Sequence, residues 1–295
     1  MKRPRIYILD KTEKLTKDNN KTIADIIEES VYDWSKFISI QEELTLSITI
    51  ESSLGDAIAN TEVEYTVQVG SIGEHKVVTS IPAYKATTGT DLNGDAPDIN
   101  INFTYYMVER CLKGDFKAFK ATCLHELGHN FGVHEQKRYN FYDAITVFDK
   151  YTIHGPYGHE FHGPNTKKIA KDGVPLSAST GTHIASNFAE AFQSPLGAAL
   201  QRGTSSSLSE LDVRIVSDCG LATDLNDVIP VGHFPGQIDG RKGTDTVIID
   251  GDAGSYIVSS RETDWVVAHY RGDYEIELRN VELLQFRDGK LLLDN

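Results

Sequence analysis

The stretch that most constrains the fold spans residues 115–134, DFKAFKATCLHELGHNFGVH, because it predicts one amphipathic helix with two histidines one turn apart. At 100° per residue, His125 and His129 lie side by side on this helix. Three large apolar residues gather on roughly the opposite face: Leu124, Leu127 and Phe131. Asp115 can cap the first free N–H groups, and Gly132 can adopt the positive φ that ends a helix. The sequence therefore predicts a helix with one packing face and one coordinating face.

The spacing H-E-x-x-H suits zinc, because His125 and His129 can converge on one tetrahedral ion that keeps room for a third protein ligand and a water. Such an ion lowers the pKa of its water to about 7. Glu126 can then take the proton as general base and later pass it to the leaving amine. Three small residues on this side are expected to leave room for ion and substrate: Ala118, Ala121 and Gly128. The motif predicts a zinc-dependent endopeptidase with Glu126 as base and a protein or peptide as substrate.

The composition is that of a globular protein, with 295 residues, 40% hydrophobic and 24% charged. A chain of this length favours two domains over one. No apolar run approaches the roughly 20 residues that span a bilayer, so we expect no membrane span. The net charge of -14 disfavours nucleic acid as a partner, because no basic stripe is present to neutralise phosphates. Three cysteines are too few for a disulfide framework, and we expect reduced, buried thiols.

Periodic patterns predict the elements around the helix. Residues 22–37 have apolar residues at helical spacing. The stretches 44–50, 62–69 and 75–81 alternate like half-buried strands and are expected to form a sheet. The stretch 97–103 alternates again shortly before the zinc helix. We therefore expect it to be the edge strand along which an extended substrate pairs by main-chain hydrogen bonds.

The rest of the chain predicts a cleft wall and a second unit. About fifty residues after the helix are rich in Tyr, His, Gly and Pro and are expected to wall the cleft. A capping signal and an apolar stripe at 207–216 predict a closing helix. Short strands are predicted from Gly240 onward. The predicted division is a catalytic domain at 1–225 with a candidate N-terminal extension at 1–21, a linker at 226–238, and a small β-rich domain at 239–295.

The helix motif H-E-x-x-H-x-x-G resembles that of the metzincin clan of zinc endopeptidases. The resemblance implies an α+β zincin domain, with a twisted sheet and this active-site helix. In that clan a third ligand follows the glycine at fixed spacing, and the corresponding position is Glu135, one residue after His134. Both residues are candidate third ligands. The clan also has a methionine turn beneath the zinc, and here Leu196 or Phe192 would occupy that place.

Residues 161–192 resemble the leishmanolysin family in an ordered set of segments, which read here as H-G-P-N, V-P-L and G-T-H. That family has a delayed zinc-binding histidine. The resemblance implies His183 as the third ligand, some fifty residues after His129, and on this basis His183 is favoured over Glu135 and His134.

The C-terminal segments GTDTVIIDGDAGSYIV and LRNVELLQFRDGKLLLDN are similar to the end of bacterial repeats-in-toxin exoproteins, including serralysin-type peptidases. This similarity implies a one-step exporter that reads the C-terminus, and hence an extracellular protein without an N-terminal signal; otherwise the protein would be cytoplasmic. The turn GRKGTD at 240–245 resembles the calcium turns of a β-roll and makes Ca²⁺ a candidate second ion. A single copy of the turn is not expected to stack into a roll.

Two alternatives stay open. The segment FAEAF at 188–192 resembles the glutamate-bearing helix of gluzincin-like, lethal-factor-type zinc peptidases, with Glu190 as third ligand. A different class is a catalytically inactive peptidase fold that serves as a binding or adhesin module, suggested by the missing methionine and the attached β unit. The retention of Glu126 argues against it, because an inactive site has no need of a general base.

Overall fold

The computed structural model describes residues 2–293 with gaps at 41, 64, 73–74, 135–143, 156–157, 178–180, 198–204, 232–235, 262–263 and 273–274. The described chain mixes helices and strands, which confirms the α+β class. The described helices are α1 Lys17–Ser35, α2 Ile81–Thr88, α3 Tyr105–Leu112, α4 Phe116–Asn130, α5 Val147–Lys150, α6 Ser186–Phe192 and α7 Glu210–Asp218. None of these helices is long and apolar enough to cross a membrane.

The first ten strands form three sheets. They are β1 Arg5–Asp10, β2 Thr45–Glu51, β3 Ala59–Glu62, β4 Tyr65–Ile72, β5 His75–Ser80, β6 Ile99–Thr104, β7 Ala144–Thr146, β8 Thr152–Gly155, β9 Gly158–Phe161 and β10 Val174–Leu176. The sheet next to α4 has the order β1-β2-β6-β3, and β4-β5-β7 and β10-β9-β8 are separate. The single predicted sheet of 44–50, 62–69 and 75–81 is therefore wrong, since β2 and β5 belong to different sheets.

The predicted edge strand is also wrong. The stretch 97–103 forms β6, which lies between β2 and β3. β1, β2 and β6 run parallel, and β3 runs antiparallel to β6 at the edge of the sheet. The asparagines Asn100 and Asn102 of β6 point away from the apolar core, so their polarity marks one face of an interior strand. Alternation alone does not distinguish that case from an edge.

The helix α1 packs against α4 and against β1 of the sheet. Its buried residues recur at helical spacing, as the sequence predicted: Ile23, Ile27, Val31 and Trp34. The Trp34 indole donates a hydrogen bond of 3.2 Å to the carbonyl of Leu124, and its ring meets the edge of Phe131 at 5.6 Å between centroids. These contacts fix the height of α4 above the sheet. The predicted closing helix is α7, which has a capping box between Ser209 and Asp212.

The remaining strands enclose a second apolar core. They are β11 Val228–Val231, β12 Gly236–Asp239, β13 Thr246–Ile249, β14 Tyr256–Arg261, β15 Asp264–His269, β16 Glu275–Arg279, β17 Leu283–Gln285 and β18 Lys290–Leu292. The predicted linker at 226–238 contains β11 and β12, which pair in parallel with β13 and β16. The expectation that this stretch is a loop is wrong, because Pro230 favours a loop over a strand; the division into domains stays a prediction. Proline is tolerated here since β11 is the edge of its sheet.

The β unit stacks strands in parallel more than once. Asp227, Asp245 and Glu282 each come directly before β11, β13 and β17, which lie side by side. The Asp227 N–H donates to Asp245 Oδ1 at 2.7 Å, and the Asp245 N–H donates to Glu282 Oε2 at 2.7 Å. The turn GRKGTD thus leads into the middle one of three parallel strands, whose preceding residues are joined by hydrogen bonds.

Candidate metal centre

The helix α4 has the predicted ends. The Asp115 carboxylate accepts from the Ala118 N–H, and Gly132 follows the helix at φ +111°. The positive φ requires a residue without Cβ, and a Cβ at Gly132 would also lie 2.8 Å from that of Cys219. All three cysteines are buried and reduced, as predicted. The motif side chains His125, Glu126 and His129 are themselves 5–8% exposed, so the coordinating face is covered by other segments.

Gly128 does not leave room for substrate, contrary to the sequence-based expectation. A Cβ at this position would lie 2.4 Å from Leu196 Cδ2, so the glycine lets that side chain press against α4. Leu196 is 1% exposed. Of the two residues predicted to replace the methionine turn, Leu196 therefore contacts the motif helix. Phe192 instead stacks on Phe188 within α6.

Three imidazoles converge beside α4. His129 Nε2 lies 3.2 Å from His125 Nε2 and 3.2 Å from His183 Nε2. The rings of His125 and His183 are nearly parallel, at 15°. Their donor atoms all lie within 4.8 Å of one another, and within the described ranges this is the only group of three or more potential metal ligands. His183, the residue implied by the leishmanolysin resemblance, thus joins the two motif histidines.

Backbone carbonyls fix the protonation of the motif histidines. His125 Nδ1 lies 2.8 Å from the Pro195 carbonyl, and His129 Nδ1 lies 2.6 Å from the Val133 carbonyl. A carbonyl only accepts, so each Nδ1 carries the proton and each neutral Nε2 turns a lone pair inward. Lone pairs this close repel unless a cation lies between them. A tetrahedral Zn²⁺ with bonds of 2.0–2.1 Å would hold its nitrogens about 3.3 Å apart, which fits the observed spacing.

The electrostatics keep these imidazoles neutral. Burial, together with the neighbouring histidines, lowers the pKa of His125 to about 3 and that of His183 to about 2. Burial also lowers the pKa of His129. Neutral imidazole is the form that coordinates a metal. The site is therefore in its ligating state throughout the neutral pH range.

His183 is carried by a clamped segment. Its carbonyl accepts from the Ser177 N–H at 2.7 Å, and the N–H of Ile184 donates to the Leu196 carbonyl at 3.1 Å. The Ser194 hydroxyl donates to the buried carboxylate of Asp212 at the start of α7, and it accepts from the Leu196 N–H at 3.1 Å. One polar network therefore holds the third histidine, the Pro195 carbonyl and the Leu196 side chain.

The histidines open into a cleft of about 450 Å³. It is also lined by residues 56–61, which include most of the edge strand β3, and by Thr182 and Gly197. Glu126 lines the cleft, and burial raises the pKa of its carboxyl to about 8. A carboxyl with so little solvent contact has a raised pKa until a positive charge comes near.

The competing third ligands lie elsewhere. His134 lines the cleft with its ring centroid 6.4 Å from that of His129, and burial lowers its pKa to about 4, but it is not part of the three-histidine group. Glu190 is exposed on α6 and is not part of the group either. Glu135 lies outside the described residues. Asp245, in the turn predicted for Ca²⁺, belongs to no such group among the described residues, and calcium binding stays a prediction.

Several contacts that shape the site have no counterpart in a sequence pattern. The carbonyls of Pro195 and Val133 accept hydrogen bonds from His125 and His129. Any residue type has such a carbonyl, so the sequence does not indicate these contacts. The contact of Asn130 with Thr61 joins positions 69 residues apart. In the sequence, this contact is indicated only by a polar residue, Asn130, directly after His129. Comparison with models of known protein families gave no match, and comparison with curated protein sequences gave none either.

Proposed function

We propose that the protein is a zinc-dependent endopeptidase with His125, His129 and His183 as ligands and Glu126 as general base. One observation carries the proposal: the ring nitrogens of three histidines converge near Glu126, a buried carboxyl on the helix of two of them, in a cleft bordered by an edge strand. Three protein ligands with an open fourth position are typical of catalytic zinc.

The chemistry follows from the position of each group. His125, His129 and His183 would hold the Zn²⁺, which would supply a Lewis acid and an acidified water. Glu126, one residue from His125, would serve as the general base toward that water and as the proton donor to the leaving amine. A nearby dication would lower the raised pKa of this carboxyl, so that it could ionise and act as base.

The substrate in this proposal is an extended peptide. β3 is the edge of its sheet, and its residues 59–61 line the cleft together with the histidines. An edge strand offers unpaired main-chain groups to a second strand, which holds the peptide bond across the cleft without demanding a particular sequence. The expected pairing is thus with β3, not with the interior strand β6.

The metzincin resemblance is part of the proposal. Its support is the edge strand antiparallel to β6, the helix α4 behind it and Leu196 pressing on Gly128 where the clan has a methionine turn. Convergence of His183 on the motif supports the leishmanolysin-like order of ligands.

The test combines metal analysis with a substitution of the base. We expect Glu126→Gln to retain zinc but to lose 10²–10⁴ of the hydrolysis of an unfolded protein, since an amide cannot accept a proton. Glu190→Gln is the matched control and should retain both zinc and activity. A parent protein that binds zinc yet cleaves nothing would favour the binding or adhesin reading, and zinc loss in the control would favour the lethal-factor-type reading.

A further inference from the structure

We infer that Asn130 is a positioning residue that sets the distance between the zinc helix and the strand on which substrate lies. The inference rests on the proposed function. Asn130 is the last residue of α4 and directly follows the ligand His129. It is 1% exposed, although an amide side chain at a helix end normally reaches water. Its burial therefore needs an explanation in its contacts.

The amide of Asn130 bridges two elements. Its Nδ2 donates to Thr61 Oγ1 at 2.8 Å and to the Glu126 carbonyl at 2.8 Å. The carbonyl can only accept, so the orientation of the amide is determined. The Asn130 Oδ1 atom is buried and has no hydrogen-bond partner within the described structure. A buried acceptor without a partner is costly, so the contribution of Asn130 lies in the two hydrogen bonds that its Nδ2 donates.

Thr61 connects Asn130 to the sheet through hydrogen bonds. Its hydroxyl accepts from Asn130 and donates to the Asn100 carbonyl of β6 at 2.7 Å. Thr61 belongs to β3 and lines the cleft. Through this one hydroxyl, the helix that carries Glu126 is tied to the strand proposed to pair with substrate. A peptide on β3 is thereby held at a fixed distance from the base.

The second anchor of Asn130 is on the other side of the helix end. The Ser80 hydroxyl donates to the Asn130 carbonyl at 2.5 Å, and Ser80 also caps α2. This bond involves the backbone and survives substitution of the side chain. Asn130→Ala therefore removes the link to Thr61 while leaving the helix end attached.

The experiment compares Asn130→Ala and Thr61→Val with Asn102→Ala. The control removes a side-chain bond of 2.9 Å that joins β6 to β3 through Asn60, without touching α4. We expect kcat/KM for a long internally quenched peptide to fall about 10- to 100-fold in both test variants, as a misplacement of about 1 Å would cause. Cleavage of a blocked dipeptide, too short to pair with β3, and zinc affinity should stay at the parental level. The double variant should be no worse than the poorer single one, because both remove one link.

Amide hydrogen exchange gives a readout that needs no activity. We expect the amides of β3 to exchange faster in Asn130→Ala than in the parent, and no change in Asn102→Ala. Parental exchange of β3 in Asn130→Ala would overturn the inference, as would equal losses on the long and short substrates. An inactive parent with faster exchange in Asn130→Ala would reject the endopeptidase and keep the link between α4 and β3.

Discussion

His183 is the residue on which the assignment of the third ligand depends. Its Nε2 meets that of His129, whereas the His134 ring lies on the cleft wall. We expect His183→Ala to weaken zinc binding by more than about 100-fold, beyond the effect of losing a group that only supports a ligand, and His134→Ala to leave it near parental. Competition with a chromophoric chelator measures both. If His134→Ala weakened zinc binding and His183→Ala did not, the third ligand would be His134, close to the spacing of the short metzincin motif.

Gly128 and Leu196 test the packing behind the histidines. Gly128→Ala puts a methyl group 2.4 Å from the present position of Leu196 Cδ2. We expect a loss of about 1–3 kcal/mol in the free energy of unfolding, as is typical of overpacking. Leu196→Ala in the same chain should recover part of that loss, because it empties the space that the methyl needs. Urea unfolding of the two single variants and the double variant gives the coupling, and additive losses would contradict the contact.

At the scale of elements, the capped helix α7 links stability to pH. Burial raises the pKa of Asp212 to about 6 from an ordinary 3.8, although two hydroxyl donors and two backbone amide donors oppose the shift. Because the folded-state pKa is the higher one, this group stabilises the fold most below pH 3.8 and loses that contribution as the pH rises through 6. At 1.36 kcal/mol per pKa unit the change is about 3 kcal/mol.

The matching experiment is urea unfolding of metal-free protein between pH 4 and pH 8. We expect the difference in unfolding free energy between the parent and Asp212→Asn to shift in favour of the variant as the pH rises. Zinc is left out because metal affinity depends on pH, so bound metal would add its own pH-dependent contribution to the unfolding free energy. A difference that stays constant with pH would mean that Asp212 is ionised at an ordinary pKa in the folded protein.

Local patterns predicted the elements but not their assembly. The caps of α4 and α7 and the apolar spacing of α1 are encoded within a few residues, so the sequence predicted all three helices. Sheet order depends on pairings between distant segments. The alternation in residues 97–103 therefore does not show whether β6 is an edge strand or an interior strand. His183 was identified through a resemblance, since periodicity has no means of joining it to His129. The hydrogen bond between His125 and the Pro195 carbonyl uses a backbone atom, so no sequence pattern predicts it.

For the whole molecule, the question is how the β unit is attached. Asn165 Nδ2 donates to Ser217 Oγ at 2.9 Å and to the Val228 carbonyl at 3.2 Å, while the Val228 N–H donates back to Asn165 Oδ1 at 3.0 Å. The Ser217 hydroxyl donates to the buried Asp227 at 2.8 Å. The first residues of the β unit are thus hydrogen-bonded to buried polar groups of Asn165 and Ser217, outside the β unit. We propose that the functional boundary lies after β11.

Truncation tests that boundary. A chain ending at residue 236 keeps Asp227 and Val228, and we expect it to fold and bind zinc with reduced stability, since β11 loses β13. A chain ending at 224 leaves the buried groups of Asn165 and Ser217 without these partners, and each unpaired group costs about 1–3 kcal/mol. We expect it to unfold at clearly lower temperature. Equal thermal midpoints would restore the boundary at 225.

The order β11-β13-β17-β18 has a consequence for how the protein behaves at high concentration. Parallel stacked strands invite a further strand from another molecule at each open edge. Here one edge carries Pro230, which lacks an N–H to donate, and the other ends in β18, a strand of only three residues that runs antiparallel to β17. Neither edge repeats the pattern of the strands between them. This sheet therefore resists growing into a fibre by end-to-end addition of further copies.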